Sequence, residues 1–205
     1  MEFLKSQTAL NLARSFAGES QARNRYTVYA EQARKEQQEY LARIFDQTAD
    51  NEKIHAKEFL EMIVKLAGKS VHNIDFDAGY PYDLGNTAEN LKFAAEGEGH
   101  EHKDIYPEFA RIAREEGFTD AAKLWENIAP IEGLHHNVFM EAHKQYTTGS
   151  LYKKDKPVVW RCLNCGYIME AVEPWKVCPV CHKETGWTEG YVDDKLIPEE
   201  KRTKG

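Results

Sequence analysis

Glu52 and His55, then Glu132 and His135, form two Glu-x-x-His steps in the middle of long amphipathic stretches, on the face whose other members are apolar. A carboxylate and an imidazole about one helical turn apart point the same way and can share a metal ion. The first step falls in the series Leu41, Phe45, Thr48, Glu52, His55, Phe59, Met62, Leu66, and the second in Ala121, Leu124, Ile128, Glu132, His135, Phe139, Ala142, Tyr146. Both series advance by threes and fours, as one buried helix face does. Two further series, Leu12, Phe16, Glu19, Arg23, Tyr26, Ala30, Ala33 and Leu91, Ala94, Glu98, Glu101, Ile105, Phe109, Ile112, bring Glu19, Glu98 and Glu101 to the same interior. A single inward Glu or His is ordinarily solvated or satisfied within the core. Five inward carboxylates without a cation would repel one another and each carry a desolvation cost of several kcal/mol, against a domain stability of only ~5–15 kcal/mol. Divalent cations remove that conflict.

The elements that position these groups are four amphipathic helices between about residues 5 and 146. Gly68, Gly117 and Gly149 follow three of them at the place of a left-handed C-terminal cap, and Thr87 and Thr119 are expected to cap the starts of the third and fourth. Lys69 to Asn86, rich in Gly, Pro, Asp and Tyr, is a long crossover. Short, long, short is the loop order of a ferritin-like bundle, and two Glu-x-x-His helices facing two Glu-bearing helices form the donor set of di-iron or di-manganese carboxylate proteins. Carboxylates bridge hard cations, while imidazole discriminates against magnesium and calcium. Glu101, one turn after Glu98, is a surplus donor for one ion. Tyr26, seven residues after Glu19, and Tyr106, eight after Glu98, can reach the ligand layer and hold a carboxylate in place, or serve as ordinary core rings. Pro107 and Pro130 predict local distortion beside the ligands. The first interhelical turn, near Arg34 to Glu39, has neither Gly nor Pro, so a helix exchanged between two subunits is an alternative there. His100, His102, His136 and His143 have no positional support as ligands.

A second constellation follows a linker. Cys162-x-x-Cys165 and Cys178-x-x-Cys181 hold all four cysteines and imply one tetrahedral four-thiolate site. Spacing does not choose between structural zinc and redox iron. Val158 to Arg161 has strand character and leads into the first pair, and the charged tail after Trp187 is expected to be partly disordered, with Tyr191, Val192, Leu196 and Ile197 as anchorage. The expected organisation is a mainly α protein with a ferritin-like four-helix bundle over residues 1–148, a linker over 149–157, and a small four-cysteine metal unit rich in β structure and turns over 158–205.

The chain has 205 residues and a net charge of −7, from 34 acidic and 27 basic groups. That balance offers no footprint for nucleic acid or an anionic membrane. No apolar run approaches membrane-spanning length, and no export signal is legible at the N-terminus. Paired cysteines of this kind fit a reducing cytoplasm.

Gly18-Glu19-Ser20-Gln21-Ala22-Arg23-Asn24-Arg25-Tyr26, Glu52-x-x-His55, Gly97-Glu98-x-x-Glu101 with Tyr106-Pro107, Glu132-x-x-His135 and the two cysteine pairs together resemble the rubrerythrin family over nearly the whole chain. The resemblance implies a ferritin-like di-iron domain fused to a rubredoxin-like domain, acting as a cytoplasmic peroxidase that reduces hydrogen peroxide to water. By position, Glu19, Glu52, Glu98, Glu101, Glu132 and His135 would hold the iron pair, with His55 replacing Glu101 on one iron upon reduction. Cys162, Cys165, Cys178 and Cys181 would hold the single iron that relays electrons, ultimately from NADH through rubredoxin or a rubredoxin reductase. Tyr26, Tyr106 and Glu101 are the candidate catalytic groups. Three departures stand out: Gln37 and His182 occupy places where Gly is usual, and Gly133 one that is often acidic. From His135 to Gly149 is about 21 Å at 1.5 Å per residue, so a chain's own thiolate iron is expected to lie far from its iron pair, and a head-to-tail homodimer follows. The rival readings are an iron-oxidising storage protein of the ferritin type and an interaction protein with structural zinc.

Overall fold

The computed structural model describes residues 2–191; Val192, Leu196 and Ile197, expected to anchor the tail, lie outside them. Helices α1 (Gln7–Lys35) and α2 (Glu39–Ala67) form one hairpin. After a crossover without helix or strand, a third rod consists of α3 (Thr87–His100), a π-helical segment Glu101–Ile105 and α4 (Tyr106–Glu116), and α5 (Thr119–Thr147) returns beside it. The chain thus builds a four-rod bundle with one long crossover. The distortion expected beside Pro107 is this π segment, whereas α5 runs on through Pro130. No helix among the described residues is long and apolar enough to cross a membrane.

Helix ends show where local chemistry differed from expectation. Gly68, Gly117 and Gly149 adopt φ of 66°, 87° and 73°, as left-handed caps do. The start of α3 is capped by Asn86 in a reciprocal capping box with Glu89, so Thr87 is the first helical residue and not the cap. Thr119 likewise opens α5 without capping it. Two glutamates serve the starts of other helices: Glu116 accepts the Gln7 and Thr8 amides at 2.9 and 2.7 Å, and Glu36 accepts that of Thr87 at 3.2 Å. The turn between α1 and α2 closes within this one chain. Gln37 adopts φ 61°, and the Gln38 and Gln37 amides donate to Ala33 O and Arg34 O, the two bonds of a Schellman motif formed without glycine. Buried Glu39 reinforces it by pairing with Arg34 at 3.1 Å and Arg43 at 3.2 Å.

Two apolar layers fill the bundle, with the carboxylates between them. One gathers Tyr26, Tyr29, Phe45, Leu91 and Phe139, and the other Leu12, Phe59, Tyr106, Trp125 and Ile128. Truncating a buried ring such as Phe45 or Phe59 to Ala costs about 3–5 kcal/mol, so each layer clamps the ligand-bearing turns firmly. In α1 the inward step after Glu19 is Ala22, and Arg23 is exposed, because steps of three and four are both compatible with the stripe.

The small unit is a three-stranded antiparallel sheet in the order β2 (Ile168–Ala171), β1 (Val158–Cys162), β3 (Thr188–Tyr191). Trp160, Trp175 and Tyr167 pack around Cys162 and Cys178. This unit sits on the α1–α2 turn: Arg43 donates to Leu163 O at 3.2 Å and Tyr152 to Gln38 Oε1 at 3.1 Å. Gly186 approaches so closely that a Cβ there would overlap the Gln37 carbonyl oxygen. The connecting segment is tethered to the bundle by Leu151, which is buried in the first apolar layer.

Candidate metal centres

Antiparallel packing brings the mid-helix donors to one level. Glu19, Glu52, His55 and Glu132 offer donor atoms all within 4.8 Å of one another, and so do Glu52, Glu98, Glu132 and His135. Glu52 and Glu132 belong to both groups, so they would be the residues shared by a pair of cations. His55 Nδ1 lies 2.8 Å from Glu52 Oε2 and 3.0 Å from Glu132 Oε1; His135 Nδ1 lies 2.9 Å from Glu132 Oε2 and 3.1 Å from Glu52 Oε1. Glu101 stands apart from both groups and is half-buried, on the wall of a cavity described below.

The electrostatics are those of a site that calls for cations. Burial, then the charges of Glu101, Glu132 and Glu52, pushes Glu19 well above the carboxylate range. Burial and Glu52 push Glu98 up to about 8, and burial and Glu98 push Glu101 well up. Glu52 is the exception: burial raises it, but the hydrogen bonds of His135 and His55 prevail and leave it lowered. Burial opposes protonation of His55 and His135, yet the surrounding carboxylates raise them to about 9 and about 12. Glu19 Oε2 is buried and accepts no hydrogen bond, and the buried oxygens Glu98 Oε2, Glu132 Oε1 and Glu132 Oε2 face no donor besides the His55 and His135 imidazoles, at 2.9 to 3.5 Å. Orphan carboxylate oxygens of this kind are expensive unless a cation meets them. The residues therefore fit a pair of ions.

Both tyrosines contact the ligand layer, each reaching across to the other hairpin. Tyr26 donates to Glu98 Oε1 and Tyr106 to Glu19 Oε1. Burial first, and the neighbouring carboxylates next, raise both phenols well above their usual range and keep them as donors. The exchange is reciprocal although the spacings differ, seven residues from Glu19 to Tyr26 and eight from Glu98 to Tyr106. The π segment Glu101–Ile105 absorbs the additional residue. At the place that Glu101 occupies three residues after Glu98, α1 has Ala22 three residues after Glu19.

Two histidines without positional support have a structural role that sequence reasoning missed. His102 Nδ1 donates to Ala129 O at 2.7 Å, and His136 Nδ1 donates to Ala95 O at 2.6 Å. A Cβ on Gly133 would lie 3.0 Å from the His102 ring, and one on Gly99 would lie 2.8 Å from the His136 ring. Gly133 is thus the floor for an imidazole that ties the third rod to α5. The signal was present as Ala-x-x-x-Gly-x-x-His, at Ala95-Gly99-His102 and again at Ala129-Gly133-His136. His100 is exposed and pairs with Asp104 at 2.8 Å.

The four cysteines meet as two matching knuckles. Gly166 N donates to Cys162 O and His182 N to Cys178 O, at 2.9 and 3.0 Å, with φ of 76° and 59°. His182 therefore adopts the glycine conformation, and with it the Lys183 amide is kept as a donor to Cys181, as the Tyr167 amide is to Cys165. The Asn164 side chain and that Lys183 amide lower the Cys181 thiol to about 6. Sγ separations of 3.6 Å (Cys162 to Cys181) and 3.7 Å (Cys165 to Cys178) are too long for disulfides and match the roughly 3.8 Å edge of a tetrahedron with ~2.3 Å metal–sulfur bonds.

Comparison with known proteins agrees with both centres. The family model described as rubrerythrin matches residues 11–143, and that of the rubrerythrin rubredoxin-like domain matches residues 160–185. Rubrerythrin of Clostridium perfringens is 46% identical over 88% of this chain and 93% of its own, and rubrerythrin of Nitratidesulfovibrio vulgaris is 38% identical with the same coverage. A structure of partially reduced nigerythrin, 27% identical, superposes with a TM-score of 0.61 over 93% of this chain and 94% of its own. The ion pair in the bundle and the four-thiolate ion are accordingly a di-iron and a single-iron site, and the chain belongs to the rubrerythrin family.

Proposed function

We propose that the protein is a non-haem di-iron peroxidase that reduces hydrogen peroxide to water. Its electrons come through the four-thiolate iron from a redox partner such as rubredoxin or an NADH-dependent rubredoxin reductase. The observation that carries this reading is the presence, in one chain, of a carboxylate–imidazole cluster and a tetrahedral thiolate set. Iron storage calls for the first without the second. A structural zinc scaffold has no use for the buried carboxylates.

Glu19, Glu52, His55, Glu98, Glu132 and His135 hold the ion pair, and Glu101 is the further donor that alternates with His55. The placement of His55 among Glu19, Glu52 and Glu132, with Glu101 outside, supports that exchange. When bound, the irons supply the electrons and Lewis acidity for O–O cleavage. The chain's own groups manage position and protons. Tyr26 and Tyr106 pin Glu98 and Glu19, and Glu101, on the cavity wall beside them, is the group that passes a proton to the peroxide oxygen. Glu101→Gln is expected to lower peroxide turnover about a hundredfold, the lower range for losing a proton-transfer group, with an unchanged helical circular dichroism spectrum.

Electron delivery is proposed to cross subunits in a head-to-tail homodimer. The thiolate unit sits on the Gln37 turn, and the fifteen residues from there to Glu52 span about 22 Å of helix. A reducing cytoplasm suits the free thiols. The test is anaerobic titration of the fully reduced protein with hydrogen peroxide, following the visible spectra of both centres. Reoxidation of two electrons per peroxide is expected. Reoxidation by oxygen alone, with iron accumulating in cage-sized particles, would replace this reading with storage, and zinc without iron at the thiolates would replace it with a scaffold.

A further inference from the structure

A cavity of about 510 Å³ lies between α1, the third rod and the crossover, and its inner end is formed by Tyr26, Glu101 and Tyr106. Hydrogen peroxide, two heavy atoms, needs on the order of 30–50 Å³, judged by the ~30 Å³ share of one water. The space is instead of the class, about 300–1,000 Å³, that encloses organic ligands. Its walls suit an apolar group: Phe93, Ile105 and Phe109 come from the third rod, and Tyr80 comes from the crossover. The crossover is fastened over it, with Tyr80 donating to Arg14 O at 2.9 Å, Arg14 to Asp77 O at 3.0 Å and Tyr29 to Asp83 O at 2.6 Å.

Two glycines show that the room is built in. Gly18 and Gly97 interrupt α1 and α3, where Gly costs about 1 kcal/mol relative to Ala. Neither has a positive φ. A Cβ on Gly97 would meet nothing within 4 Å, and one on Gly18 would make only ordinary contact, 3.4 Å from Tyr80 and 3.9 Å from Glu101. Backbone geometry and packing therefore require neither glycine, yet both line the cavity, and what they secure is its volume. Arg25 lines it too, and its Nη1 is buried without an acceptor, a donor available to an oxygen of a bound molecule.

We infer that this cavity admits organic hydroperoxides carrying an apolar group of up to about ten carbons, and that the protein reduces them to alcohols. The inference rests on the peroxidase reading and extends its substrate class. The balanced reaction is ROOH + 2e⁻ + 2H⁺ → ROH + H₂O: the O–O bond breaks, two O–H bonds form, and the electrons come from two turnovers of a one-electron redox protein. The hydroperoxide end lies against Glu101 and the apolar end against Phe93 and Tyr80.

The test uses the iron-loaded full chain with cumene hydroperoxide and hydrogen peroxide. Cumyl alcohol is expected at one equivalent per two electrons, with a kcat/KM within about tenfold of that for hydrogen peroxide. Calorimetry should show cumyl alcohol binding at submillimolar concentration. Gly97→Leu fills open space and raises helix propensity, so it should keep or raise Tm while lowering the ratio of the two kcat/KM values at least tenfold and abolishing the calorimetric signal. Turnover of hydrogen peroxide without cumene hydroperoxide, or an unaltered ratio in Gly97→Leu, overturns the inference and leaves the peroxidase reading intact. Turnover of neither overturns both.

Discussion

Stripping the ions from the carboxylate cluster should give the bundle a stability that falls as pH rises from 5 toward neutrality. The sign follows from Glu98, whose carboxyl is held up to about 8 by burial and Glu52, against an ordinary value near 4.5. Below pH 4.5 Glu98 is protonated both folded and unfolded and costs nothing. Above it the unfolded chain gives up a proton that the folded one keeps, so stability is lost through the window from 4.5 to 8 at about 1.4 kcal/mol per pH unit. Between pH 5 and 6.5 this amounts to about 2 kcal/mol from Glu98 alone. Glu19 and Glu101, also raised, add to it, whereas Glu52, lowered, acts only below 4.5. His55 and His135 stay charged in both states across this window, and their contribution is lost above pH 6.5, in the same direction. For a chain of this size about 2 kcal/mol corresponds to roughly 4–8 °C in Tm. The assay is thermal and urea unfolding followed by circular dichroism at 222 nm, which reports the bundle, on stripped and iron-loaded protein at pH 5 and 6.5. The loaded protein should show the opposite slope, because its ligands must be deprotonated to bind. A stripped bundle that is equally stable, or more stable, at pH 6.5 would refute the assignment of these carboxylates to a dry interior.

The remaining predictions concern conformations that only particular residues tolerate. Gln37→Gly relieves a left-handed residue in the Schellman turn and should stabilise the bundle by about 0.5–1 kcal/mol in urea unfolding, the αL penalty less the entropy of glycine. Gly99→Ala places a Cβ 2.8 Å from the His136 ring, and should cost about 1–3 kcal/mol and break the bond to Ala95 O, visible as a changed His136 imidazole resonance. Gly186→Ala should unseat the thiolate unit from Gln37, leaving Tm of the bundle little changed while protease cleaves the segment 152–157 faster.

Much of this was legible in the chain itself, for one reason: a buried helix face repeats. The series through Leu41 and Phe45 to Phe59 is buried as the periodicity requires, and so are Ala121, Ile128 and Phe139 of the last, where Trp125 and not Leu124 takes the fully buried place, so Glu52, His55, Glu132 and His135 stood out as polar groups in an apolar place. Cysteine spacing was equally direct. What escaped was set by interactions that periodicity does not encode. Ala22 and Arg23 satisfy the same stripe, and only packing chose between them. Asn86 outcompeted Thr87 as a cap because Glu89 completes its box. The imidazoles of His102 and His136 are marked only by the repeated Ala-x-x-x-Gly-x-x-His, and periodicity does not reveal them as clasps, since each packs on a glycine of a neighbouring helix that is remote in sequence. Gln37 and His182, singled out as departures from glycine, are the two non-glycine residues of positive φ among the described residues, so the backbone form was retained while the residue suited to it was replaced.

The π segment has a further consequence. Without its additional residue, the two hairpins would offer almost interchangeable halves: Glu19 with Glu98, Tyr26 with Tyr106, and the two Glu-x-x-His steps with each other. Glu101 opposite Ala22 cancels that equivalence, so the two groups of donors have unlike surroundings. The asymmetry of the donor cluster thus goes with a single inserted position in one rod.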